Sequence, residues 1–212
     1  MIEMLNCDCM EYMAGLEDNA FELAIVDPPY GISADKNQNK RASTKWLGDS
    51  GGQWKEYKET EWDSNIPDEN YFIELSRVSK NQIIWGGNYY PVLLAGVVIW
   101  DKGENGTLPH GELAKSSIKT FKIFKMSRAD AYINNSSMKI HPTQKPVKLY
   151  EWLLSNYAKE GDRILDTHLG SGSSAIAAHY GGFDFVGTEL DTDYFKASQE
   201  RFERETAQIA MF

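Results

Sequence analysis

Residues 23–30 read Leu-Ala-Ile-Val-Asp-Pro-Pro-Tyr, a short apolar run followed by a turn that cannot continue it. The run 23–26 predicts a buried strand, and Pro28 and Pro29 end it, because each proline lacks an N–H and has a fixed φ angle. Asp27 and Tyr30 therefore lie at the carboxyl end of a strand, the edge where open α/β sheets bind ligands. An acceptor carboxylate, prolyl carbonyls and a ring would suit a planar ring that bears an amino group. The alternative is an Asp-Pro turn with a tyrosine packed beside it.

A second strand-to-turn signal lies in the last quarter of the chain. The run 164–166 predicts a strand that ends in Asp166, and 170–175 read Gly-Ser-Gly-Ser-Ser-Ala before an alanine-rich helix. This matches the G-x-G-x-x-G/A pattern, and Glu189 follows at the end of the next predicted strand, where an acid can bind the hydroxyls of a ribose. The pattern fits a dinucleotide or S-adenosylmethionine. Asp166 favours the latter, because a carboxylate would repel a pyrophosphate but can accept from an ammonium group.

The remaining periodicity predicts strands that alternate with helices, which is typical of a parallel α/β sheet. Further strands are expected at 2–6, 82–85, 97–100, 118–124 and 183–189, and helices at 10–17, from Pro67, after 146 and at 192–206. In 118–124 the alternating lysines predict an edge strand with its lysines on the solvent face. Residues 31–66 have no clear period, and 103–117 are polar and glycine-rich.

Composition indicates one globular domain rather than a disordered or membrane-spanning chain. Of the 212 residues, 42% are hydrophobic and 12% aromatic, and no run approaches the length of a transmembrane helix. The first residues show no signal peptide. The two cysteines, Cys7 and Cys9, are too close for an expected disulfide and lack the histidines of a zinc site, so we predict no bound metal. A reduced, cytoplasmic setting in a bacterial or phage-infected cell is expected.

The net charge of −9 is unusual for a nucleic-acid binder, but its distribution is uneven. Positive side chains concentrate in 113–148 and in a smaller cluster after residue 35. The alternative is two solvated faces without a partner. From these clusters we predict a nucleic-acid-binding set formed by Lys36, Lys40, Arg41, Lys115, Lys119, Lys122 and Arg128.

Taken together, the motifs resemble those of the β-class DNA amino-methyltransferases, in which the target-side half precedes the cofactor-side half. Residues 27–30 match the catalytic motif without change, and His141-Pro142-Thr143-Gln144-Lys145-Pro146 matches a second signature. Residues 6–10 resemble the family's Gly-Asp-Cys-Leu, and 61–63 and 84–88 look like features of the target side. Residues 166–172 resemble Asp-Pro-Phe-x-Gly-Ser-Gly, with Thr167 for the proline and His168 for the phenylalanine.

The resemblance implies a Rossmann-like methyltransferase fold with a circularly permuted, mostly parallel, seven-stranded sheet. The strand at 2–6 would then take the third position, beside the second strand. The whole chain, 1–212, would form a single domain with a target-side half of about 1–140 and a cofactor-side half of about 141–212. Target recognition would fall to insertions at about 31–60 and 103–140.

The resemblance also implies an enzyme that transfers a methyl group from S-adenosylmethionine to the 6-amino group of adenine in DNA, since Asp leads the tetrapeptide. Asp27 and the Pro28 carbonyl would accept the amine hydrogens, Pro29 would fix the turn, and Tyr30 would stack on a base flipped out of the duplex. The implied cofactor-binding residues are Asp8, Asp27, Lys145, Asp166, Gly170, Ser171, Gly172 and Glu189. For Lys145, a contact with a DNA phosphate and a plain helix-start lysine remain open, while His141 and His168 are expected to be structural.

Other functions also fit parts of the sequence. A cytosine 4-amino methyltransferase is the nearest alternative, because it would use the same fold and cofactor. A catalytically silent nucleic-acid-binding subunit would be expected to lose the acid, the ring or the glycines, and none is lost here. A nicotinamide oxidoreductase fits the glycine motif alone. The small size suggests a standalone or phage-type enzyme, or one part of a restriction-modification system, and a homodimer could share recognition of the target.

Overall fold

The structure is a computed structural model that describes residues 1–32, 63–104, 109–132, 140–141 and 143–207, without the side chains of residues 128 and 132. Lys36, Lys40, Arg41 and most of the first predicted recognition insertion lie outside the described residues, as does the side chain of Arg128. The motif residues 61, 62 and 142 also lie outside them. The predictions for these positions therefore stay predictions.

The described chain builds one mixed α/β sheet of eight strands, in the order β1-β8-β7-β2-β3-β5-β4-β6. All neighbours run parallel except β5, which is antiparallel to both β3 and β4. The strands are β1 Ile2–Leu5, β2 Leu23–Val26, β3 Gln82–Trp85, β4 Gly96–Asp101, β5 Gly111–Ser116, β6 Phe121–Lys125, β7 Arg163–Asp166 and β8 Asp184–Thr188. The expected class is confirmed, but the predicted count of seven strands is wrong by one. The additional strand is β5, in the polar, glycine-rich segment 103–117 for which the sequence predicts no strand.

Six helices connect the strands within the described residues. They are α1 Cys9–Ala14, α2 Glu69–Val78, α3 Arg128–Tyr132, α4 Val147–Tyr157, α5 Ser173–Gly181 and α6 Thr192–Thr206. Helix α2 begins two residues after Pro67, because the Asp68 side chain caps it by accepting from the Tyr71 N–H at 3.0 Å. None of the helices is long and apolar enough to cross a membrane, in the part of the chain that the structure describes.

Strand β1 lies beside β8 and runs parallel to it, with Ile2 opposite Phe185 and Leu5 opposite Thr188. The Glu189 N–H continues this pairing by donating to the Leu5 carbonyl at 2.9 Å. The prediction that the strand near the start of the chain takes the third position of a permuted sheet is therefore confirmed. Because β1 and β8 run parallel, Asp8 and Glu189, which follow them, lie at the same carboxyl edge of the sheet.

Strand β2 is buried on both faces, which explains its uninterrupted apolar run. Leu23 and Ile25 pack in the cluster under α4 and α5, and Ala24 and Val26 pack in the opposite cluster with α1 and α2. A strand that is covered on both faces has no solvent-facing positions, so polar residues do not alternate with apolar ones along it. Asp27 is therefore the first residue after a rigid, fully buried strand, at the carboxyl edge of the sheet.

Strand β6 is the edge strand that the sequence predicts, but its lysines do not share a solvent face. Lys122 lies on the same face as Phe124, whose ring packs on Trp152 of α4 at 5.5 Å between centroids. Phe121 on the other face is 70% exposed. Strands β5 and β6 both fall within 103–140, so this part of the predicted recognition insertion belongs to the sheet.

Candidate active site

A cavity of about 470 Å³ opens at the carboxyl edge of the parallel strands. This volume lies within the range typical of small-molecule sites. Predicted site residues from all parts of the chain meet in its lining, namely Asp8, Asp27, Pro29, Lys145, Gly170, Ser171 and Glu189. Four other predicted residues, Pro28, Tyr30, Asp166 and Gly172, lie next to the lining rather than in it.

The Asp27–Tyr30 turn is held from outside by two residues of other elements. Asp63 is almost fully buried, and its carboxylate accepts from the N–H groups of Tyr30 at 2.6 Å and Gly31 at 3.0 Å. The Tyr90 hydroxyl donates to the carbonyls of Pro28 at 2.7 Å and Pro29 at 2.9 Å. The turn is thus fixed before any ligand binds. In the sequence, Asp63 stands out only as part of a family feature, and no local pattern predicts this contact.

Both oxygens of the Asp27 carboxylate have partners. The Tyr30 hydroxyl donates to Oδ1 at 2.6 Å, and the Lys145 ammonium forms an ion pair with Oδ2. Burial, and next the charge of Asp27, raise the pKa of Tyr30 well above its ordinary value, so its hydroxyl stays protonated and remains a donor. Each oxygen keeps a further acceptor site, because a carboxylate can accept about four hydrogen bonds.

The Tyr30 ring stacks on Tyr89, with 5.0 Å between centroids and 15° between planes. Gly86 adjoins the same ring and has a φ of +70°; a Cβ there would lie 2.5 Å from Tyr30 Cδ1. Only glycine combines this left-handed backbone with so close an approach. The ring of the predicted stacking residue is therefore held in one place by its neighbours.

The Lys145 ammonium has carboxylate partners within the protein. The side chain is 3% exposed, and its Nζ lies between Asp27 and Glu112, with Glu112 Oε2 at 3.2 Å and the Tyr30 hydroxyl at 3.1 Å. Its charge is thus neutralised within the protein, although the residue lines the cavity. The predicted contact with a cofactor carboxylate stays a prediction. The deciding partner is Glu112, which is far from Lys145 along the chain and stands in no motif.

The glycine-rich turn at the start of α5 has the backbone that its sequence requires. Gly170 and Gly172 have φ angles of +52° and +74°, a conformation that favours glycine. Arg201 of α6 supports the turn: its guanidinium donates to the Ser171 carbonyl and to Ser173 Oγ, both at 2.9 Å. The sequence does not predict this role of Arg201, because a lone arginine in a polar helix resembles a solvated one.

Glu189 lies at the end of β8 and faces the cavity. Its Oε2 accepts from the Gly170 N–H at 2.8 Å and its Oε1 from the Asp191 N–H at 2.9 Å. Burial raises the pKa of Glu189. Because each oxygen has one backbone donor, each keeps an acceptor site, which suits a pair of ribose hydroxyls. Asp8 faces the same cavity and caps α1 through the Met10 N–H at 2.6 Å.

Asp166 is buried behind the cavity, where its carboxylate accepts from Ser174 Oγ at 2.5 Å and from the His168 N–H at 3.0 Å. Burial raises the pKa of Asp166 to about 7. Burial lowers the pKa of His168 to about 4, so its ring is neutral, and the ring packs edge-on against Tyr71 at 5.4 Å. The carboxylate thus orients the turn that follows β7.

The three predicted nucleic-acid-binding lysines whose side chains are described do not share one surface. Lys115 lies on β5 beside Gly87, close to the aromatic residues of the site. Lys119 precedes β6 and so lies at the opposite edge of the sheet, because β6 runs parallel to β2. Lys122 donates to Asn156 of α4 at 2.6 Å. That each of the three binds nucleic acid stays a prediction.

Comparison with known proteins finds similarity to DNA methylases. The pattern of the N6/N4 DNA methylase family matches residues 98–200. The type II methyltransferase M2.DpnII of Streptococcus pneumoniae is 22% identical over 250 aligned positions, which cover 95% of this chain and 90% of that protein.

Two solved structures share the fold. The M1.HpyAVI–SAM complex has a TM-score of 0.59 at 18% identity and covers 95% of this chain and 100% of its own. The cytosine-N4-specific PvuII DNA methyltransferase has a TM-score of 0.60 at 14% identity, covering 97% and 90%. At these identities the structural likeness concerns the fold alone.

Proposed function

We propose that this chain, which belongs to the DNA amino-methyltransferases of the β class, transfers a methyl group from S-adenosylmethionine to the 6-amino group of adenine in DNA. One observation carries the proposal. The carboxylate of the unaltered Asp27–Tyr30 motif lines the same cavity as the glycine turn and Glu189. An amine acceptor and a nucleoside-binding acid thus face one enclosed space.

The residues around the cavity fit S-adenosylmethionine, which supplies a methyl group on a positively charged sulfur. Glu189 would bind the ribose hydroxyls through its remaining acceptor sites, and Asp8 would lie near the adenosine. Gly170 and Ser171 would border the methionine end, with Gly172 shaping their turn. Asp166 would act there through the backbone of that turn, because its carboxylate is already bonded to Ser174 and His168.

Asp27 would act on the target amine by accepting one of its hydrogens. An exocyclic amine is a poor nucleophile, because its lone pair is delocalised into the ring; a hydrogen bond to Asp27 and one to the Pro28 carbonyl would reduce this delocalisation. S-adenosylmethionine would supply its methyl group to this nitrogen and keep the electron pair of the broken sulfur–carbon bond. The surplus proton leaves the nitrogen toward Asp27. Alignment of the reacting atoms would supply much of the rate.

The DNA side of the reaction requires the base to leave the duplex, which takes a few kcal/mol. Stacking on Tyr30, worth about 1–3 kcal/mol, would offset part of this. Tyr89 already covers one face of Tyr30, so the base takes the opposite face or displaces Tyr89, which is 44% exposed. Lys115 is the described lysine best placed to bind a phosphate near this opening. We also propose that two copies of the chain form a homodimer and share recognition of the DNA target.

Product analysis tests the proposal directly. The purified protein is incubated with unmethylated duplex DNA and S-adenosylmethionine, and the digested nucleosides are identified by mass spectrometry. We expect a methyl group on the adenine amine. Methyl on the cytosine amine would keep the mechanism and replace the target base. No methylated base would favour the silent subunit.

Asp27→Ala should abolish turnover and retain cofactor binding, since Glu189 and the glycine turn are untouched. Asp18→Ala, which alters an exposed acid outside the cavity lining, is the matched control and should keep full activity. Normal turnover by Asp27→Ala would reject the assigned chemistry.

A further inference from the structure

Four charged groups of alternating sign form a row behind the cavity. Asp27 pairs with Lys145, Lys145 with Glu112, and Glu112 with Lys102. The two lysine side chains are only 3% and 4% exposed. Two carboxylates and two ammonium groups thus balance one another where water is largely excluded.

The antiparallel strand β5 brings Glu112 to this position. Glu112 lies opposite Trp100 in the β4–β5 register, and the Lys102 N–H donates to the His110 carbonyl at 2.7 Å. Because β5 begins where the parallel strands end, its second residue reaches the edge that carries Asp27. Neither Glu112 nor Lys102 lines the cavity.

Lys145 is anchored at both ends. Its backbone carbonyl accepts from Ser173 Oγ at 2.7 Å, at the start of α5, while its ammonium lies between Asp27 and Glu112. Although burial lowers the pKa of Lys145, the carboxylates of Asp27 and Glu112 together raise it above its ordinary value. Burial raises the pKa of Glu112, but the ammonium groups of Lys145 and Lys102 outweigh it and bring it to about 2. Lys145 and Glu112 therefore both stay ionised at neutral pH.

We propose that Glu112 is a positioning residue, which holds the Lys145 ammonium and through it the orientation of the Asp27 carboxylate for the target amine. Without Glu112, Asp27 is the one carboxylate that pairs with this buried ammonium among the described residues, and an ammonium that has lost one partner is expected to bind the other more closely. Asp27 Oδ2 would then turn toward Lys145 and away from the cavity. The inference rests on the proposed function, because it concerns the acceptor of that reaction.

Glu112→Gln tests the inference, since it removes the charge and nearly preserves the shape. We expect kcat for DNA methylation to fall, by up to about 100-fold for a displacement of the acceptor near 1 Å. KM for DNA and Kd for S-adenosylmethionine should change much less than kcat, because Glu112 itself lies outside the cavity. Rates are normalised to the concentration of cofactor-binding sites, so that a misfolded fraction does not mimic the effect. Glu160→Gln, an exposed acid shortly before β7 and outside the proposed binding regions, is the matched control.

Two further variants separate position from net charge. Glu112→Asp keeps the charge and should retain more activity than Glu112→Gln. The double variant Glu112→Gln/Lys102→Met restores the charge balance but not the partner of Lys145, so it should remain slow. Recovery of the wild-type rate in the double variant would overturn the inference. If Glu112→Gln does not fold, Glu112→Asp and the double variant carry the same test.

A second readout does not depend on activity. Labelling of Lys145 by an N-hydroxysuccinimide ester, followed by peptide mass spectrometry, should be slow in the wild type and faster in Glu112→Gln. If Glu112→Gln is labelled faster but the wild-type protein methylates no base, the proposed function is rejected and the role of Glu112 in holding Lys145 is kept. Wild-type kcat together with wild-type labelling in Glu112→Gln would reject the role of Glu112.

Discussion

Replacing Gly86 by alanine should disable the enzyme by moving Tyr30. The new Cβ would lie 2.5 Å from Tyr30 Cδ1 and 2.9 Å from Cζ, whereas carbon atoms pack best at about 3.5–4.0 Å. The ring must therefore move by about 1 Å. It cannot move alone, because its hydroxyl donates to Asp27 and its face stacks on Tyr89.

Two contributions to the loss of stability can be separated. Gly86 has a φ of +70°, and an alanine in this conformation costs about 1–2 kcal/mol. The overlap with Tyr30 should add about 1–3 kcal/mol, as overpacking does in other cores. Gly182 has a φ of +71°, and a Cβ added there would have no atom within 4 Å, so Gly182→Ala introduces the strain without the overlap.

Urea unfolding and single-turnover methylation of duplex DNA measure the two effects. We expect Gly86→Ala to be less stable than Gly182→Ala by the overlap contribution. Its methylation rate should fall by about 100-fold, the loss that a 1 Å misplacement can cause. Gly182→Ala should keep the wild-type rate. Equal rates in the two folded variants would refute the claim that the ring position of Tyr30 matters for turnover.

Three further predictions follow from other contacts. Asp63→Ala removes the acceptor of two backbone N–H groups, so the free energy of unfolding should fall by about 1.5–3 kcal/mol per lost hydrogen bond. Urea titrations measure this loss, with Ser64→Ala as the control. An unchanged urea midpoint in Asp63→Ala would contradict the role of Asp63. Because the pKa of Asp166 is about 7 in the folded protein and lower when unfolded, its stabilising effect is lost as pH rises from about 4 to 7. The stability of Asp166→Asn relative to wild type should therefore rise between about pH 5 and 7, by at most about 1.4 kcal/mol per pH unit, and level off above; a flat difference would contradict the raised pKa. Lys115→Gln should reduce the slope of log affinity for DNA against log salt concentration by about one unit, as measured by fluorescence anisotropy. Lys119→Gln, at the opposite edge of the sheet, should leave this slope unchanged. Equal slopes in the two variants would argue against a phosphate contact at Lys115.

The sequence predicts the parallel part of the sheet well, because its strands are short apolar runs that end in acids or prolines. In β2 the residues on both faces are buried, so apolar and polar residues do not alternate. The uninterrupted apolar run itself indicates a buried strand. The two functional turns follow from residues adjacent in the chain. Their common location then follows from topology, since the carboxyl ends of parallel strands share an edge.

Strand β5 could not be predicted in the same way. It carries Glu112 and Lys115 among apolar residues, and its first residue is a glycine, so its local pattern resembles a loop. What makes it a strand is pairing on both sides, with β3 and β4, which is information from distant residues. Alternation predicts an exposed Lys122, and Lys122 is exposed, but alternation does not predict its hydrogen bond to Asn156 of α4.

The contacts that fix Asp27 were also beyond the sequence. Tyr90, Asp63 and Lys145 each reach the turn from a different element. A lysine in the motif at 141–146 fits a cofactor carboxylate as well as a buried ion pair, and no local pattern predicts its partner Glu112. Long-range polar contacts of this kind depend on the final packing and have no local pattern.

The double anchoring of Lys145 has a consequence for how the two substrates interact. Lys145 is bonded to Ser173, next to the turn proposed to border the cofactor, and to Asp27, the acid proposed to accept from the target base. A shift of that turn on cofactor binding would change the site presented to DNA, and a shift of Asp27 on DNA binding would change the cofactor cavity. Thermodynamic reciprocity then requires each substrate to alter the affinity of the other by the same factor. Lys145 would thereby couple the binding of S-adenosylmethionine to the binding of DNA.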